Sequence, residues 1–309
     1  MNATDTKKLR EAGYCTVEAV QQATRKQLME VKGITEARCA AIIEAANKLT
    51  DLHSGRFRTA AQLREEQRAR FRISTGSKEL DTALGGGIES KMLTEVYGEF
   101  RTGKTQLCAT MAVTAQLDPK CGGKVIYVDT EGNFFPERLR PICERFGVDY
   151  DTILNNIVTA RIFSTDQQEA LAQMIEAQID QDEGAPYSLL IIDSVMALWR
   201  VDFSGRGELS ERQQKLGKHL NDIRKLAERH NLAVVYTNQV QADPSGGMMA
   251  FAGEVRKPLG GHVVGHASNT RIMFRKGRDT ERIAKIVDSP TMPEVDATFT
   301  ITSSGVGDA

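Results

Sequence analysis

Residues 98–106, Gly-Glu-Phe-Arg-Thr-Gly-Lys-Thr-Gln, set two glycines and a lysine–threonine pair around unlike side chains. Backbone N–H groups close around an anionic oxygen only where side chains do not intrude, and a helix N-terminus adds positive potential there. Gly98 and Gly103 supply that room. Lys104 would bridge terminal phosphates, and the Thr105 hydroxyl would hold Mg²⁺, an ion that keeps most of its water and takes few protein ligands. The whole run, with Glu99, Phe100, Arg101, Thr102 and Gln106, is therefore a candidate phosphate cradle. Two carboxylates and an amide would complete it. Asp193 ends the apolar run LLIID and would hold a water on the metal. Glu131, in YVDTEGN, would orient and deprotonate the attacking water. Gln239 closes TNQ, where it would reach the terminal phosphate and report its presence to the loop that follows. Taken singly, an aspartate capping a strand or a solvated loop glutamate is an ordinary structural feature; four such elements in chain order point to a nucleoside triphosphatase.

Such groups need strands and helices to carry them. The cradle follows the apolar run MLTEVY and precedes QLCATMAVTAQL, which reads as a helix, so the loop joins a strand to a helix N-terminus. KVIYVD, SLLIID, NLAVVYTNQ, TRIMFRKG and RIAKIVD read as further strands separated by helical stretches. The expected fold class is α/β, with a largely parallel sheet covered on both faces. Residues 7–49 have helical apolar spacing broken by the glycine turn VKGIT, which predicts a small all-helical module. From His53 to Arg72 the charge is dense and little is apolar, as in a linker. The expected domains are 1–52, helical; 53–72, linker; and 73–309, the α/β core.

Composition narrows the class. At 309 residues with 40% hydrophobic content, the chain suits one large core and a small accessory domain. No run approaches the roughly 18 apolar residues of a membrane span, and the polar start lacks the apolar middle of a signal peptide, so no membrane partner is expected. Cytoplasm or nucleus remains. Cys15, Cys39, Cys108, Cys121 and Cys143 lack paired metal-ligand spacing and read as reduced thiols. Lys plus Arg, 40, nearly cancels Asp plus Glu, 41, so any nucleic acid must meet a local basic surface.

Two segments offer such a surface. RVDFSGRGELSERQQ carries Arg200, Arg206 and Arg212 on a glycine-containing loop. QADPSGGMMAFAGEVRKP carries Met248, Met249 and Phe251 for unpaired bases, with Arg256 and Lys257 for phosphates; its plain alternative is a lid over the nucleotide. GGHVVGH reads as a glycine-permitted turn, and its His262 and His266 lack a metal-binding partner set. In the linker, Phe57 and Ala60 of FRTA have the spacing with which an extended segment adds to a neighbour's sheet edge and fills two pockets; such a head-to-tail contact builds filaments or rings.

These motifs, with DTEGNFFPERL, LLIIDSVMALWRVDFSGRGELSERQQKL, TNQVQADP, KPLGGHVVGHASNTR, RKGR and KIVDSP, resemble the eukaryotic and archaeal (RadA-like) branch of the RecA-like strand-exchange recombinases over nearly the whole chain. Within it, the segment from MALWR to QQKL and QADP resemble the meiosis-specific members. MEVKGITEARCAAI resembles the family's helix-hairpin-helix DNA-binding module. The resemblance implies an ATP- and Mg²⁺-dependent, DNA-dependent ATPase that forms filaments on single-stranded DNA. It further implies pairing with double-stranded DNA, strand exchange, mediator partners and work in the nucleus. It implies that both loops line the DNA groove and that Arg138 and Pro290 sandwich the adenine, Pro290 from the neighbouring subunit. Phe135 stands where the family usually has arginine, and Gln167 where histidine is common. A non-catalytic mediator and a ring-forming helicase share the same core; the intact Lys104, Thr105, Glu131 and Asp193 disfavour the first, and FRTA with the helical module disfavours the second.

Overall fold

A computed structural model describes residues 3–49, 59–119, 122–203, 205, 207–242 and 256–309, and of Ala242 and Arg256 only the backbone. Phe57, Cys121, Arg206, Met248, Met249 and Phe251 lie outside the described residues, as does the side chain of Arg256. The chain divides into two compact units, Met1–Arg70 with Ala170–Gly184, and Phe71–Glu169 with Ala185–Ala309.

The first unit is helical. Thr16 and Thr24 stand immediately before the helices Val17–Gln22 and Arg25–Met29, and each side-chain oxygen accepts a hydrogen bond from the backbone N–H three residues on. A cap of this kind stabilises a helix by about 1 kcal/mol. Gly33, at φ +83°, makes the left-handed turn before the helix Glu36–Leu49, where a side chain would be strained. Leu9, Val20, Leu28, Val31, Ile34 and Ile42 close the core. The helix Ala60–Arg68, capped by Thr59 and Gln62, buries nothing, which accords with the sparse apolar content of that stretch.

The second unit is built on strands. β1 (Arg72–Ile73) and β2 (Ile88–Glu89) form a short ladder. The main sheet comprises β3 (Leu93–Gly98), β4 (Lys124–Asp129), β5 (Ile157–Arg161), β6 (Tyr187–Asp193) and β7 (Ala233–Asn238). It is completed by β10 (Thr270–Lys276), β11 (Glu281–Asp288), β12 (Asp296–Thr302) and β13 (Gly305–Asp308). Between these groups, β8 (Val240–Ala242) pairs antiparallel with β9 (Arg256–Pro258). Spatial order in the main sheet is β13-β12-β11-β10-β3-β7-β6-β4-β5. The six strands from β10 to β5 run parallel, and β11, β12 and β13 extend the sheet antiparallel. Every residue of β3, β6 and β7 is buried, the pattern of strands covered on both faces. On one face Val96, Tyr127, Leu189 and Ile191 pack with Leu107 and Met111 of the helix Lys104–Thr114. GGHVVGH forms the helix Gly261–Ala267 instead of the expected turn; the left-handed residues, Gly260 at φ +84° and Gly261 at φ +59°, stand just before it and at its first position.

A parallel sheet delivers all its strand C-termini to one edge. There Gly98 registers with Phe274, Tyr97 with Asn238, and Asp129 with Asp193. The phosphate-loop motif, Glu131, Asp193 and Gln239 are therefore brought to that edge, whereas KIVDSP ends the antiparallel β11, whose Asp288 pairs with Arg271 at the start of β10 and so lies at the opposite edge.

Behind the edge, His219 of the helix Leu209–His230 is 1% exposed beside Trp199, ring centroids 6.4 Å apart. Burial pushes its imidazole down from 6.5 to about 4. A depressed histidine stabilises the fold fully above 6.5, and that contribution fades as pH falls from 6.5 through about 4. Denaturant titrations over this window should show about 3 kcal/mol of acid destabilisation in the wild type that is missing in His219→Gln. Identical pH slopes in the two proteins would place the acid sensitivity elsewhere.

Candidate nucleotide-binding and catalytic site

The loop between β3 and the helix Lys104–Thr114 is shaped by its glycines in two distinct ways. A Cβ on Gly98 would sit 2.4 Å from the Phe274 carbonyl oxygen, so the approach of β10 excludes any side chain there. Gly103 has φ +101°, and a Cβ on it would lie 2.1 Å from Ile301 Cδ1. Both glycines are thus required by the protein's own packing, Gly98 by the approach of backbone and Gly103 by its left-handed angle as well. Arg101 bends the loop at φ 63°, and Thr102, 1% exposed, donates to the Glu99 carbonyl at 2.8 Å. Lys104 Nζ donates to the carbonyls of Gly98, 2.9 Å, and Glu99, 2.8 Å. Burial pushes this ammonium below its usual value, while the carboxylates of Asp193 and Glu131 act in the opposite sense. It is a desolvated cation held by loop carbonyls and facing two acids, a state that anionic oxygens would relieve. Thr105 and Gln106 are half-buried in the first helical turn, and Phe100 is exposed.

Asp193 ends β6 almost fully buried, with Oδ1 accepting from Thr237 Oγ1 at 2.5 Å and Oδ2 from the Tyr127 hydroxyl at 3.1 Å. Burial pushes the Tyr127 phenol well above its ordinary value, so it remains a donor. With each oxygen already accepting one protein hydrogen bond, the carboxylate suits a metal through an intervening water. Among the described residues no group of three or more His, Cys, Asp or Glu could hold a metal. The donors present, one hydroxyl and one buried carboxylate, fit Mg²⁺ bound chiefly by phosphate and water.

Glu131 is positioned by a turn that sequence reasoning missed. Asp129, the last residue of β4, accepts at Oδ1 from the N–H groups of Glu131, Gly132 and Asn133 and at Oδ2 from that of Phe134, at 2.6–3.2 Å. Arg161 Nη1 closes the turn on Asp129 Oδ1 at 3.1 Å. The Glu131 carboxylate then accepts from three side chains: Ser194 Oγ, 2.9 Å, and Gln239 Nε2, 3.1 Å, at Oε1, and Asn133 Nδ2, 3.1 Å, at Oε2. Gln239 Oε1 in turn accepts from Arg200 Nη1 at 3.4 Å. One signal was available in advance: an aspartate ending a strand just before a glycine at i+3 is the composition of a side-chain-capped turn. Ser194, Asn133, Tyr127 and Thr237 carried no such signal.

Behind Gln239 lies a buried network. Glu95 accepts from Asn238 Nδ2 at 2.7 Å and from Arg271 Nε at 2.7 Å, and Asn238 Nδ2 also donates to the Leu259 carbonyl at 2.8 Å. The Leu259 N–H returns to the Gln239 carbonyl at 3.0 Å. Removing one partner of a buried pair such as Glu95–Arg271 costs about 3–5 kcal/mol, so this side of the site is rigid.

The remaining candidates are more dispersed. Arg138 is exposed on the 3₁₀ turn Pro136–Leu139, next to the exposed Phe135. Pro290 lines a small cleft with Leu84, Ile88, Met92 and Thr270, and Arg138 is not part of that lining. Gln167 Oε1 accepts from the Phe163 N–H at 2.8 Å. Arg200 is exposed on the helix Ala197–Asp202, Arg212 is half-buried on the helix Leu209–His230, and Lys257 is exposed on β9. Ala60 is exposed at the start of its helix. His262 and His266 stack at 5.9 Å.

The fold and this edge define a RecA-like phosphate-loop protein, an α/β core preceded by a helical unit. The Rad51 family description matches residues 66–309, and that of the SAM-like helix-hairpin-helix tandem matches residues 1–48. The chain belongs to the Rad51 family of RecA-like recombinases. It is 52% identical over 312 residues to the meiotic recombination protein DMC1/LIM15 homolog of Homo sapiens, covering 100% of this chain and 90% of that one. It is 47% identical to the meiotic recombination protein DLH1 of Candida albicans, covering 100% and 94%. To the meiotic recombination protein DMC1 homolog A of Oryza sativa subsp. japonica it is 49% identical, covering 100% and 88%. Among the described residues no helix is long and apolar enough to cross a membrane.

Proposed function

We propose that the protein is an ATP-dependent recombinase that assembles on single-stranded DNA, pairs it with a homologous duplex and exchanges strands, in meiotic recombination and double-strand break repair in the nucleus. The observation that carries the catalytic part is the bond between Glu131 and Gln239, which joins the candidate base to the candidate phosphate sensor at the edge where the phosphate loop opens. The loop 98–106 cradles the phosphates, Lys104 neutralises their terminal charge, and Arg138 and a neighbour's Pro290 hold the adenine. Mg²⁺, when bound by the Thr105 hydroxyl and through water by Asp193, supplies charge neutralisation between the phosphates. Glu131 takes the proton of the attacking water.

DNA binding is assigned to Arg206 with Arg200 and Arg212 on the helices that flank it, and to Met248, Met249 and Phe251 with Arg256 and Lys257 on the strand that follows. Stacking on unpaired bases is insensitive to sequence, as a homology search requires. The printed names of the relatives support the meiotic reading, and ~50% identity along the whole chain supports its transfer. Domain limits of 1–52, 53–72 and 73–309 belong to the same reading, as do mediator partners. Strand exchange between a single strand and a homologous duplex is the test. Exchange that requires ATP is the expected result; no exchange despite DNA binding would point to a mediator, and steady unwinding of non-homologous duplex to a helicase.

Self-association is assigned to Phe57 and Ala60, filling pockets on a neighbouring subunit. The helix that Ala60 opens here would yield its first residue to an extended segment in the assembly; losing the Thr59 cap would cost about 1 kcal/mol. Phe57→Glu would bury an unpaired charge at several kcal/mol. Light scattering should find the variant monomeric with ATP binding retained, and oligomers of wild-type size would return Phe57 to its own subunit.

A further inference from the structure

Arg200, Gln239 and Glu131 form a chain of side chains in which only one arrangement of the middle amide is allowed. A guanidinium has donors and no acceptor, and an ionised carboxylate has acceptors and no donor. The amide between them must turn its oxygen to Arg200 and its nitrogen to Glu131, which is the arrangement observed, at 3.4 and 3.1 Å. Glu131 Oε1 already accepts from Ser194, so the Gln239 nitrogen takes a second position on the oxygen that must receive a proton from water. Arg200 is exposed on a short helix, where its guanidinium is accessible to anions, and phosphate competes well for arginine because it offers paired oxygens.

We propose that Arg200 is a positioning residue for hydrolysis: it fixes the Gln239 amide on Glu131 and holds the catalytic carboxylate occupied until a nucleic-acid phosphate draws the arginine away. The inference rests on the nucleotide and DNA reading above and adds a direction to it. Once Arg200 is taken by phosphate, the amide is held only by its bond to Glu131, and Gln239 is free to break that bond and turn toward the terminal phosphate. Oε1 then keeps only the Ser194 bond and is open to the attacking water. Asn133, on Oε2, has no link to Arg200 and is outside this control.

The test is steady-state ATP hydrolysis by the full chain, without DNA and with a saturating single-stranded dT oligonucleotide. Arg200→Ala should raise the DNA-free kcat by about three- to tenfold, the scale of one lost hydrogen bond, with KM for ATP unchanged. The stimulation by DNA should shrink by the same factor. Arg200→Lys keeps a donor and should keep the DNA-free rate low, a rescue that loss of packing would not give. In a Gln239→Ala background the Arg200→Ala change should have no further effect on the DNA-free rate. An unchanged DNA-free kcat in Arg200→Ala, or the same rise with Gln239 absent, would overturn the proposal. If turnover survives Lys104→Ala, the nucleotide reading itself fails; if turnover requires Lys104 and Arg200→Ala behaves as wild type, only this inference fails.

Discussion

Glu131→Gln is expected to leave ATP bound and to slow its hydrolysis by about two to four orders of magnitude, the usual range for loss of a general base. The substitution keeps the size of the side chain, and the turn that holds residue 131 is closed by Asp129 through backbone N–H groups it does not touch. What changes is the proton chemistry. Glu131 accepts from Ser194, Gln239 and Asn133, and an amide with one accepting oxygen cannot serve all three. At least one donor is released, while the affinity for nucleotide, which the proposed function assigns to the loop 98–106, should stay near that of the wild type. Phosphate release at saturating ATP measures the first effect and equilibrium nucleotide binding the second. With turnover stopped, filaments on single-stranded DNA should persist through washing in buffer without nucleotide. Unchanged turnover would make Glu131 a bystander and would move the search for the base to Asp129 or Asp193.

The parts of this site that were legible in the sequence are those in which local chemistry and strand position coincide. A glycine loop between an apolar run and a helix, and carboxylates at the ends of apolar runs, need no knowledge of strand order, because a parallel sheet brings every strand end to the same edge. What was not legible depends on which strands become neighbours. Thr237 reaches Asp193 across 44 positions and Ser194 reaches Glu131 across 63, and neither a threonine nor a serine announces such a contact. The last two antiparallel strands, and β5 at the other end of the sheet, were hidden because their apolar signal is weak. β5 has no buried residue, β12 buries only Ala297 and Phe299, and the four-residue β13 contains two glycines, whereas every residue of β6 is buried. Glycines at 260, 261 and 265 hid the helix Gly261–Ala267, since glycine favours turns in isolation and is tolerated in a helix only where neighbours pack on it. In Gly98 the same residue type has a second meaning, because the approach of the Phe274 carbonyl comes from a strand more than 170 residues away.

Lys104→Ala is expected to lower nucleotide affinity by about two to three orders of magnitude, the effect of removing a few charge-assisted hydrogen bonds from a half-buried site. Lys104 stands on the carbonyls of Gly98 and Glu99, and its burial already disfavours the charged form. Incoming phosphate oxygens would favour the charged form and take over part of its hydrogen bonding, so the cation gains more from the nucleotide than an exposed lysine would. Truncation removes that gain and leaves the acids Asp193 and Glu131 facing the phosphates without a counter-charge, which turns a favourable field into a repulsive one. Lys104→Arg keeps the charge but replaces a compact ammonium by a planar fork, so its nucleotide affinity should fall less than its turnover. Because both loop carbonyls can be hydrated once the side chain is gone, thermal stability without nucleotide should change little, whereas the stabilisation that ATP confers should disappear. Equilibrium binding of a fluorescent ATP analogue and melting curves with and without ATP separate these outcomes. Full ATP hydrolysis by Lys104→Ala would remove the loop 98–106 from the nucleotide and, with it, the reason for gathering Glu131, Asp193 and Gln239 at this edge.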